Sequence, residues 1–461
     1  MTPEENELFC RVEGDAPMGQ LVRRHWLIAC LSEELPEPEG TPVEVRLLGE
    51  DLVAWRDSDG QVGLMDRYCP HRRASLAYGR NEDKGLRCLY HGWKMDVKGD
   101  VLEMPSEPPA SCMAKKLKQK AYPTYEWAGL VWTYMGDPAT MPAFEPPPYA
   151  PTTKARVSVS KIQINCNWAQ VLEGNIDSAH SSSLHSSEIA PTRGASTKVT
   201  GDSLQRPSTD KAPRIQVQLT NYGFKYAALR RPIVNAGAND YVRMSLFIAP
   251  FTVLVPPNDI YAPVAVSIPI DDTHTMFYFI AWAESAESGI GQDDWRRFSG
   301  TQLGVDLDAN YRSRRTPGNR YLQNRQAMKE GNFTGIQGIT NQDIVMWETM
   351  GPIAERHTER LGASDQAIIE FRRQMLNAVI HFREGGPAIG TQEYAEASGE
   401  AYIPREQLRA YEGILAKTST WRNLDTADSQ AEHRSGTFSQ TSTTATSETA
   451  VSMDNKASTH E

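Results

Sequence analysis

Residues 69–93, CPHRRASLAYGRNEDKGLRCLYHGW, set Cys-x-His, then sixteen residues, then Cys-x-x-His. Two thiols and two imidazoles in matched pairs suit a metal site, either structural zinc or an iron–sulfur centre. Structural zinc sites usually pair Cys with Cys and His with His, each pair pinched by one turn. Here each pair mixes the two types. A [2Fe–2S] cluster with mixed ligation needs that arrangement, two thiolates on one iron and two neutral imidazoles on the other. Cys69 and Cys88 are therefore expected on the first iron, and His71 and His91 on the second. Imidazole ligation raises the potential to roughly −150 to +300 mV, well above an all-cysteine plant-type cluster. Tyr90, Gly92 and Trp93 are expected to shield the cluster and to let backbone amides approach it.

A second motif lies at NWAQVLEGNIDSAHSSSLH, where Asp177, His180 and His185 stand as Asp-x-x-His-x4-His. Two imidazoles with a more distant carboxylate form the facial triad that holds ferrous iron and leaves positions open. Five residues turn an ideal helix by about 140°, so His180 and His185 meet only where the helix ends or bulges. Asp177 and His180, three apart, share a helical face, which suits Asp177 as support for the His180 ring. The third ligand is expected to be Asp343 in GITNQDIVMWETMGPI. On a helix it aligns with Met346, Trp347 and Met350, an apolar face, expected to be buried, where a lone carboxylate needs a cation or hydrogen-bond partners. The competing reading is a helix capped by Thr340 with Asp343 serving its N-terminus. Asp306, Glu348 and Asp365 are weaker candidates.

These motifs need scaffolds. At 461 residues the chain suggests two or three domains. Residues 41–66 and 121–136 alternate as β-strands around the Cys/His pairs, so 25–136 reads as a small all-β domain. Proline-rich 141–153 marks a boundary. Beyond it, 215–229, 240–255 and 274–284 alternate as strands, while 167–176, the IVMWETMGPI stretch and 364–384 carry helical spacing. The expected fold class is α+β: residues 1–24 and 137–430 form a second domain with a large antiparallel sheet and a long C-terminal helix. From 431 to 461 the Ser/Thr-rich tail is expected to be disordered. A formal charge of −10 disfavours nucleic acid and anionic membranes. No secretory leader is read at MTPEENELFC, and MSLFIAPFTVLV is too short to span a bilayer. Six scattered cysteines suit a reducing cytoplasm, with Cys10, Cys30, Cys112 and Cys166 expected as small buried hydrophobes. There is no Gly-rich phosphate loop, so no nucleotide site is expected.

With both motifs in hand, the chain resembles the oxygenase component of Rieske non-haem iron oxygenases over residues 1 to about 425. The likeness is carried by EENELFCRVEGDAPMGQLVRRHW, the Cys/His stretch through KMDVKGD, NWAQVLEGNIDSAHSSSLHSS, LQRPSTDKAPR, GNFTGIQGITNQDI and TMGPIAER. The resemblance implies a Rieske [2Fe–2S] domain followed by a helix-grip (START-like) domain holding a mononuclear non-haem Fe²⁺. It implies a homotrimer, or a stacked hexamer, in which Asp177 bridges His180 to His91 of a neighbouring subunit. It also implies a separate NADH-dependent reductase carrying FMN and a plant-type [2Fe–2S] centre. The implied reaction is O₂-dependent cis-dihydroxylation of phthalate or another aromatic dicarboxylate, giving a 4,5-dihydrodiol. Alternatives are isophthalate, phenoxybenzoate or a methoxybenzoate, the last by O-demethylation. Some relatives place Asn three residues before the bridging Asp; this chain has Gly174 there and Asn175 beside it. An aromatic dianion calls for arginine forks. Arg243, on a strand face with Tyr241, Ser245 and Phe247, is the first choice, followed by Arg206. Arg230 and Arg231 stand in reserve, and Ser178 is a further pocket residue.

Overall fold

A computed structural model describes residues 1–108, 110–201 and 203–435. The alternation over 41–66 forms three antiparallel strands, Val43–Leu47, Glu50–Arg56 and Val62–Asp66, extended by Ala121–Tyr122. Leu48 (φ 51°) and Gly49 (φ 80°) turn the first hairpin with both residues left-handed, as a two-residue type I′ turn requires. A second sheet of four short strands, Arg80–Glu82, Gly85–Arg87, Lys94–Met95 and Val101–Glu103, carries the two Cys/His loops. One loop precedes its first strand and the other joins Gly85–Arg87 to Lys94–Met95. A three-stranded sheet closes the unit by pairing Trp26–Leu31 with Leu130–Tyr134. Val53, Trp55, Met65, Leu76, Leu86, Trp93 and Met95 form a core of their own, and Cys69 and Cys88 belong to it.

The rest is built on an eight-stranded sheet whose neighbouring strands all run antiparallel. Its strands are β1 (Arg156–Ile164), β2 (Arg214–Thr220), β3 (Gly223–Arg230), β4 (Asn239–Ile248), β5 (Thr252–Leu254), β6 (Ala262–Pro269), β7 (Thr275–Ala283) and β8 (Tyr411–Ala416). The order is β1-β7-β6-β5-β4-β3-β2. One edge of β4 is shared: Leu246–Ile248 pair with β5, while Asn239–Met244 pair with β8. The expected strand at 215–229 is thus a hairpin turning at Asn221–Tyr222, and 240–255 is broken at Ala249–Pro250, because proline cannot donate to a ladder.

Four helices position or brace the site, α1 (Pro3–Cys10), α2 (Trp168–Ile176), α3 (Ile339–Thr349) and α4 (Gln366–Arg383), and α5 (Ala427–Ser435) ends the described chain. Phe371 of α4 is fully buried, with ring centroids 5.4 Å from Phe9 of α1, 6.4 Å from Trp168 of α2 and 5.0 Å from Phe247 of β4. Edge-on aromatic contact thus clamps three helices to the sheet. Buried Glu173 of α2 accepts from Arg356 Nε (2.9 Å) and from Arg372 Nε of α4 (2.7 Å). Burial raises the Glu173 pKa, but the two guanidiniums outweigh it and hold the carboxyl below its usual range.

Two further expectations need correction. The tail was expected to lose structure from 431, yet α5 runs to Ser435, anchored where Gln430 Nε2 donates to Ala410 O (3.1 Å) and Leu424 O (2.7 Å). Residues 436–461 lie outside the described residues. Cys10, Cys30 and Cys166 are buried, but Cys112 is exposed, on a stretch outside every apolar core.

Candidate metal centres

The first Cys/His loop turns at Arg73 (φ 59°), where Arg73 N donates to Cys69 O and Cys69 N to Ala74 O. In the second, Gly92 N closes a turn on Cys88 O; Gly92 has φ 75°, and a Cβ there would lie 2.7 Å from Pro105 Cγ. The two thiols come together, 1% and 3% exposed, while His71 and His91 lie nearer the surface with ring centroids 4.4 Å apart. Burial pushes the Cys69 thiol up to about 11; the amides of His71 and Arg72 pull the other way, and neighbouring Cys88 raises it further. Two thiols crowded without a disulfide, with backbone amides aimed at one, are the donor environment of a thiolate pair. His71 Nδ1 is buried with no hydrogen-bond partner, an orphan that a metal bond satisfies. The set of two thiols and two imidazoles fits a [2Fe–2S] cluster with its histidine edge outward. Trp93 shields as expected, stacked on His71 at 4.5 Å and 9°. Tyr90 covers His91 (4.0 Å), with its own outer face turned to solvent, 55% exposed. Gly92 is needed for its turn, and its amide is spent on Cys88 O.

The second motif works because α2 stops. Its C-cap is Asp177, whose Oδ1 accepts from Ala179 N (2.7 Å) and His180 N (3.3 Å), starting a 3₁₀ turn at His180–Ser182. Asp177 and His180 therefore meet through this turn and not on one helical face. Asp177 Oδ2 lies 3.6 Å from His180 Nδ1. Burial opposes the charge on Asp177, but His180 and the two amides hold its pKa low. Past the turn His180 Nε2 and His185 Nε2 stand 3.2 Å apart. Asp343 Oδ1, from α3, lies 3.5 Å from the first and 3.1 Å from the second. Three donors on one face of an octahedral ion, with bonds of about 2.1 Å, stand about 3.0 Å apart. The donor set fits a facial triad, and it is the His/Cys/Asp/Glu group of metal-binding geometry found among the described residues. Burial pulls the His185 pKa down, but Asp343, Gln342 and Glu188 outweigh it and raise it.

Asp343 comes to this place on a face only partly apolar: Trp347 is buried, whereas Met346 and Met350 are exposed. Thr340 does not cap α3, whose N-cap is Gly338. The weaker candidates are engaged elsewhere. Glu348 accepts from Asn165 and Tyr321, Asp306 from Gln302 N, and Asp365 from Gly362 N. An Asn at 174 is sterically barred, because a Cβ there would lie 1.8 Å from Trp347 Nε1. Asn175 Nδ2 instead donates to Val171 O within α2 (2.8 Å).

Beside the triad three guanidiniums gather. Arg206 is 8% exposed and its Nη1 donates to Ser181 Oγ (3.1 Å); Arg230 is 1% exposed and its Nη2 donates to Ser178 O (2.6 Å). Both hold on to the turn that carries His180. Arg206 Nε, Arg230 Nε and Arg230 Nη1 are buried without partners. Arg243 is paired with Glu412 of β8, and all its hydrogen bonds, to Glu412 (3.2 Å), Thr197 (3.2 Å) and Tyr241 (3.4 Å), leave through Nη1. Burial first, then the neighbouring arginines, drives Arg230 down to about 9; burial, then Arg243, drives Arg206 down to about 10. These groups lack enough anion. Arg231, held in reserve with Arg230, points away to Asp210 and its side chain is 79% exposed. Sequence reasoning misses Gln342, Glu188 and Glu412; Glu412 is 169 residues from Arg243, and nothing in local spacing signals such a pair.

Comparison with known proteins agrees with this geometry. Residues 25–123 match the Rieske [2Fe-2S] domain family, and 133–445 match the family described as LigXa C-terminal domain like. The chain is 58% identical to the phthalate 4,5-dioxygenase oxygenase subunit of Pseudomonas putida, over 92% of this chain and 94% of that one. It is 36% identical to the 3-chlorobenzoate-3,4-dioxygenase oxygenase subunit of Comamonas testosteroni, over 82% and 88%. A 5,5'-dehydrodivanillate O-demethylase oxygenase subunit of Sphingobium is 32% identical over 82% and 80%. In fold it is similar to dicamba monooxygenase bound to 3,6-dichlorosalicylic acid, with TM-score 0.54 and 19% identity over 79% of this chain and 98% of that one. No helix among the described residues is long and apolar enough to cross a membrane. With mixed Cys/His pairs in one domain and a two-histidine, one-carboxylate centre in the next, the chain belongs to the Rieske non-haem iron oxygenases, as an oxygenase subunit that uses a [2Fe–2S] cluster and a mononuclear iron.

Proposed function

We propose that this chain is the oxygenase subunit of a phthalate 4,5-dioxygenase, converting the diacid to its cis-4,5-dihydrodiol. The observation that carries the reading is the buried arginine group, with uncommitted N–H donors, that grips the loop holding His180. A benzene dicarboxylate brings two negative charges, and three guanidiniums facing one carboxylate have room for both. The 58% identity to a phthalate 4,5-dioxygenase subunit supports the same substrate. Arg206 and Arg230 receive one carboxylate through their free edges. Glu412 fixes Arg243 by Nη1 and leaves its other edge for the second. Ser178 and Ser181, tied to these arginines, set the distance from the anion site to the metal. Dihydroxylation then falls on the ring edge remote from the carboxylates.

Cys69, Cys88, His71 and His91 hold the cluster; His180, His185 and Asp343 hold the iron. When bound, the cluster stores a single electron and the ferrous centre activates O₂. Asp177, ionised by its hydrogen bonds, orients the His180 ring and offers its other side to His91 of a neighbouring subunit in a head-to-tail homotrimer. The units we assign are 25–136 for the Rieske domain, and 1–24 with 137–430 for the catalytic domain; Phe9 packing on Phe371 supports placing α1 in the latter. Reducing equivalents come from a separate NADH-dependent reductase carrying FMN and a plant-type [2Fe–2S] centre, in the cytoplasm. The test is turnover of phthalate with reductase, NADH and O₂. A cis-4,5-dihydrodiol is expected. Formaldehyde from a methoxybenzoate without any diol from phthalate would overturn the reading in favour of O-demethylation.

A further inference from the structure

Gln342 occupies a position that the ligand pattern does not name. It is fully buried on α3, one residue before Asp343, and its Oε1 lies 2.7 Å from His185 Nδ1. Its Nε2 lies 2.8 Å from Ile336 O and 3.0 Å from Glu188 Oε1. A backbone carbonyl and a carboxylate both accept, and each takes one of the two amide hydrogens. The oxygen end of the amide must then face His185. That oxygen cannot donate, so His185 Nδ1 carries the hydrogen. Its Nε2, 3.2 Å from His180 Nε2 and 3.1 Å from Asp343 Oδ1, is left with its lone pair turned to the triad. Reversing the amide would set its single oxygen against two acceptors, Ile336 O and Glu188 Oε1, and would force the wrong ring nitrogen to carry the proton.

Glu188 is part of the same turn as His185, with its amide donating to His185 O (3.0 Å). Its second oxygen is buried without a partner, an expense that packing does not explain. We propose that Gln342 and Glu188 are positioning residues for the mononuclear centre: Gln342 locks His185 in the Nδ1–H tautomer, and Glu188 locks Gln342. This rests on the reading of His180, His185 and Asp343 as ligands. The two histidines are then held differently, His180 directly by the Asp177 carboxylate and His185 through a neutral amide.

The experiment uses the full chain with its cluster, depleted of mononuclear iron and titrated with Fe²⁺, and with Co²⁺ as a paramagnetic probe. Native protein should show two hyperfine-shifted, exchangeable imidazole N–H resonances with Co²⁺. Gln342→Leu should bind both ions on the order of 10- to 100-fold more weakly and lose one of those resonances. Glu188→Leu should give a smaller loss, and Glu188→Gln, whose carbonyl still accepts, should remain near native. Native affinity with both resonances in Gln342→Leu overturns the proposal. If Gln342→Leu fails to fold, seen as loss of the Rieske visible spectrum, Glu188→Leu decides in the same way. His185→Ala separates the two readings. Native affinity in that variant sinks the ligand assignment itself, whereas loss there without loss in Gln342→Leu and Glu188→Leu sinks only the positioning role.

Discussion

Gly174→Ala should empty the mononuclear site without touching a ligand. On helix propensity alone the substitution favours the fold by up to about 1 kcal/mol. The packing opposes it: the added Cβ would sit 1.8 Å from Trp347 Nε1 and 2.5 Å from Cε2. Ordinary contact begins near 3.4 Å, so α2 and α3 must part by about 1.6 Å (3.4 − 1.8). Trp347 is buried and its ring lies edge-on to Phe277 (5.6 Å), so it has little freedom to swing away. Overpacking of this kind costs about 1–3 kcal/mol, more than the propensity gain. Asp343 is one turn before Trp347 on the same helix. A rigid shift of α3 would carry its Oδ1 from 3.1 Å to as far as about 4.7 Å (3.1 + 1.6) from His185 Nε2, beyond the span of a shared ion. Iron and sulfide analysis of purified protein checks this: about two irons per chain are expected instead of about three, with the Rieske visible spectrum retained. Adding Trp347→Leu should restore the third iron. Three irons in Gly174→Ala at native thermal stability would refute the coupling of α2–α3 packing to metal binding.

Other outcomes follow from the same contacts. Arg230→Met should weaken phthalate binding by roughly tenfold to 150-fold, the loss of about 1.5–3 kcal/mol for a charged hydrogen bond, with both metal contents unchanged; native affinity by calorimetry would exclude Arg230 from the anion site. Asp177→Asn should lower hydroxylation by on the order of 10- to 100-fold while the cluster is still reduced chemically. Unchanged turnover would remove Asp177 from the path between centres. Glu173→Gln leaves Arg356 and Arg372 buried around a neutral partner and should cost about 3–5 kcal/mol, read from urea midpoints. The His274–Asp271 pair (2.9 Å) gives a pH signature. Its hydrogen bond to Asp271 raises the His274 pKa, so its contribution is full below about pH 6.5 and fades as pH rises through the higher folded value. The stability gap between native protein and His274→Gln should therefore be larger at pH 5.5 than at pH 8.5, and an equal gap at both would contradict the assignment.

Both metal motifs could be read from order and spacing, because ligands held by one turn must lie close in sequence. The Cys69/His71 and Cys88/His91 pairs, and His180 with His185, are of this kind, and so is the β-alternation around them. Asp343 could be nominated only as a carboxylate on a half-apolar helix face. Its identity as a neighbour of His185 is decided by the packing of α3 on α2 through Gly174 and Trp347. The arginine group was partly visible as basic residues on strands, but burial and pairing alone tell Arg230, with free N–H groups, from Arg231, which faces solvent. The Glu412 anchor on Arg243 and the Gln342–Glu188 chain behind His185 join residues more than 150 positions apart. Local sequence determines which side chains a turn or strand presents. Which distant groups answer them depends on the register of a sheet and the seating of helices, and those are settled only when the whole chain buries its core.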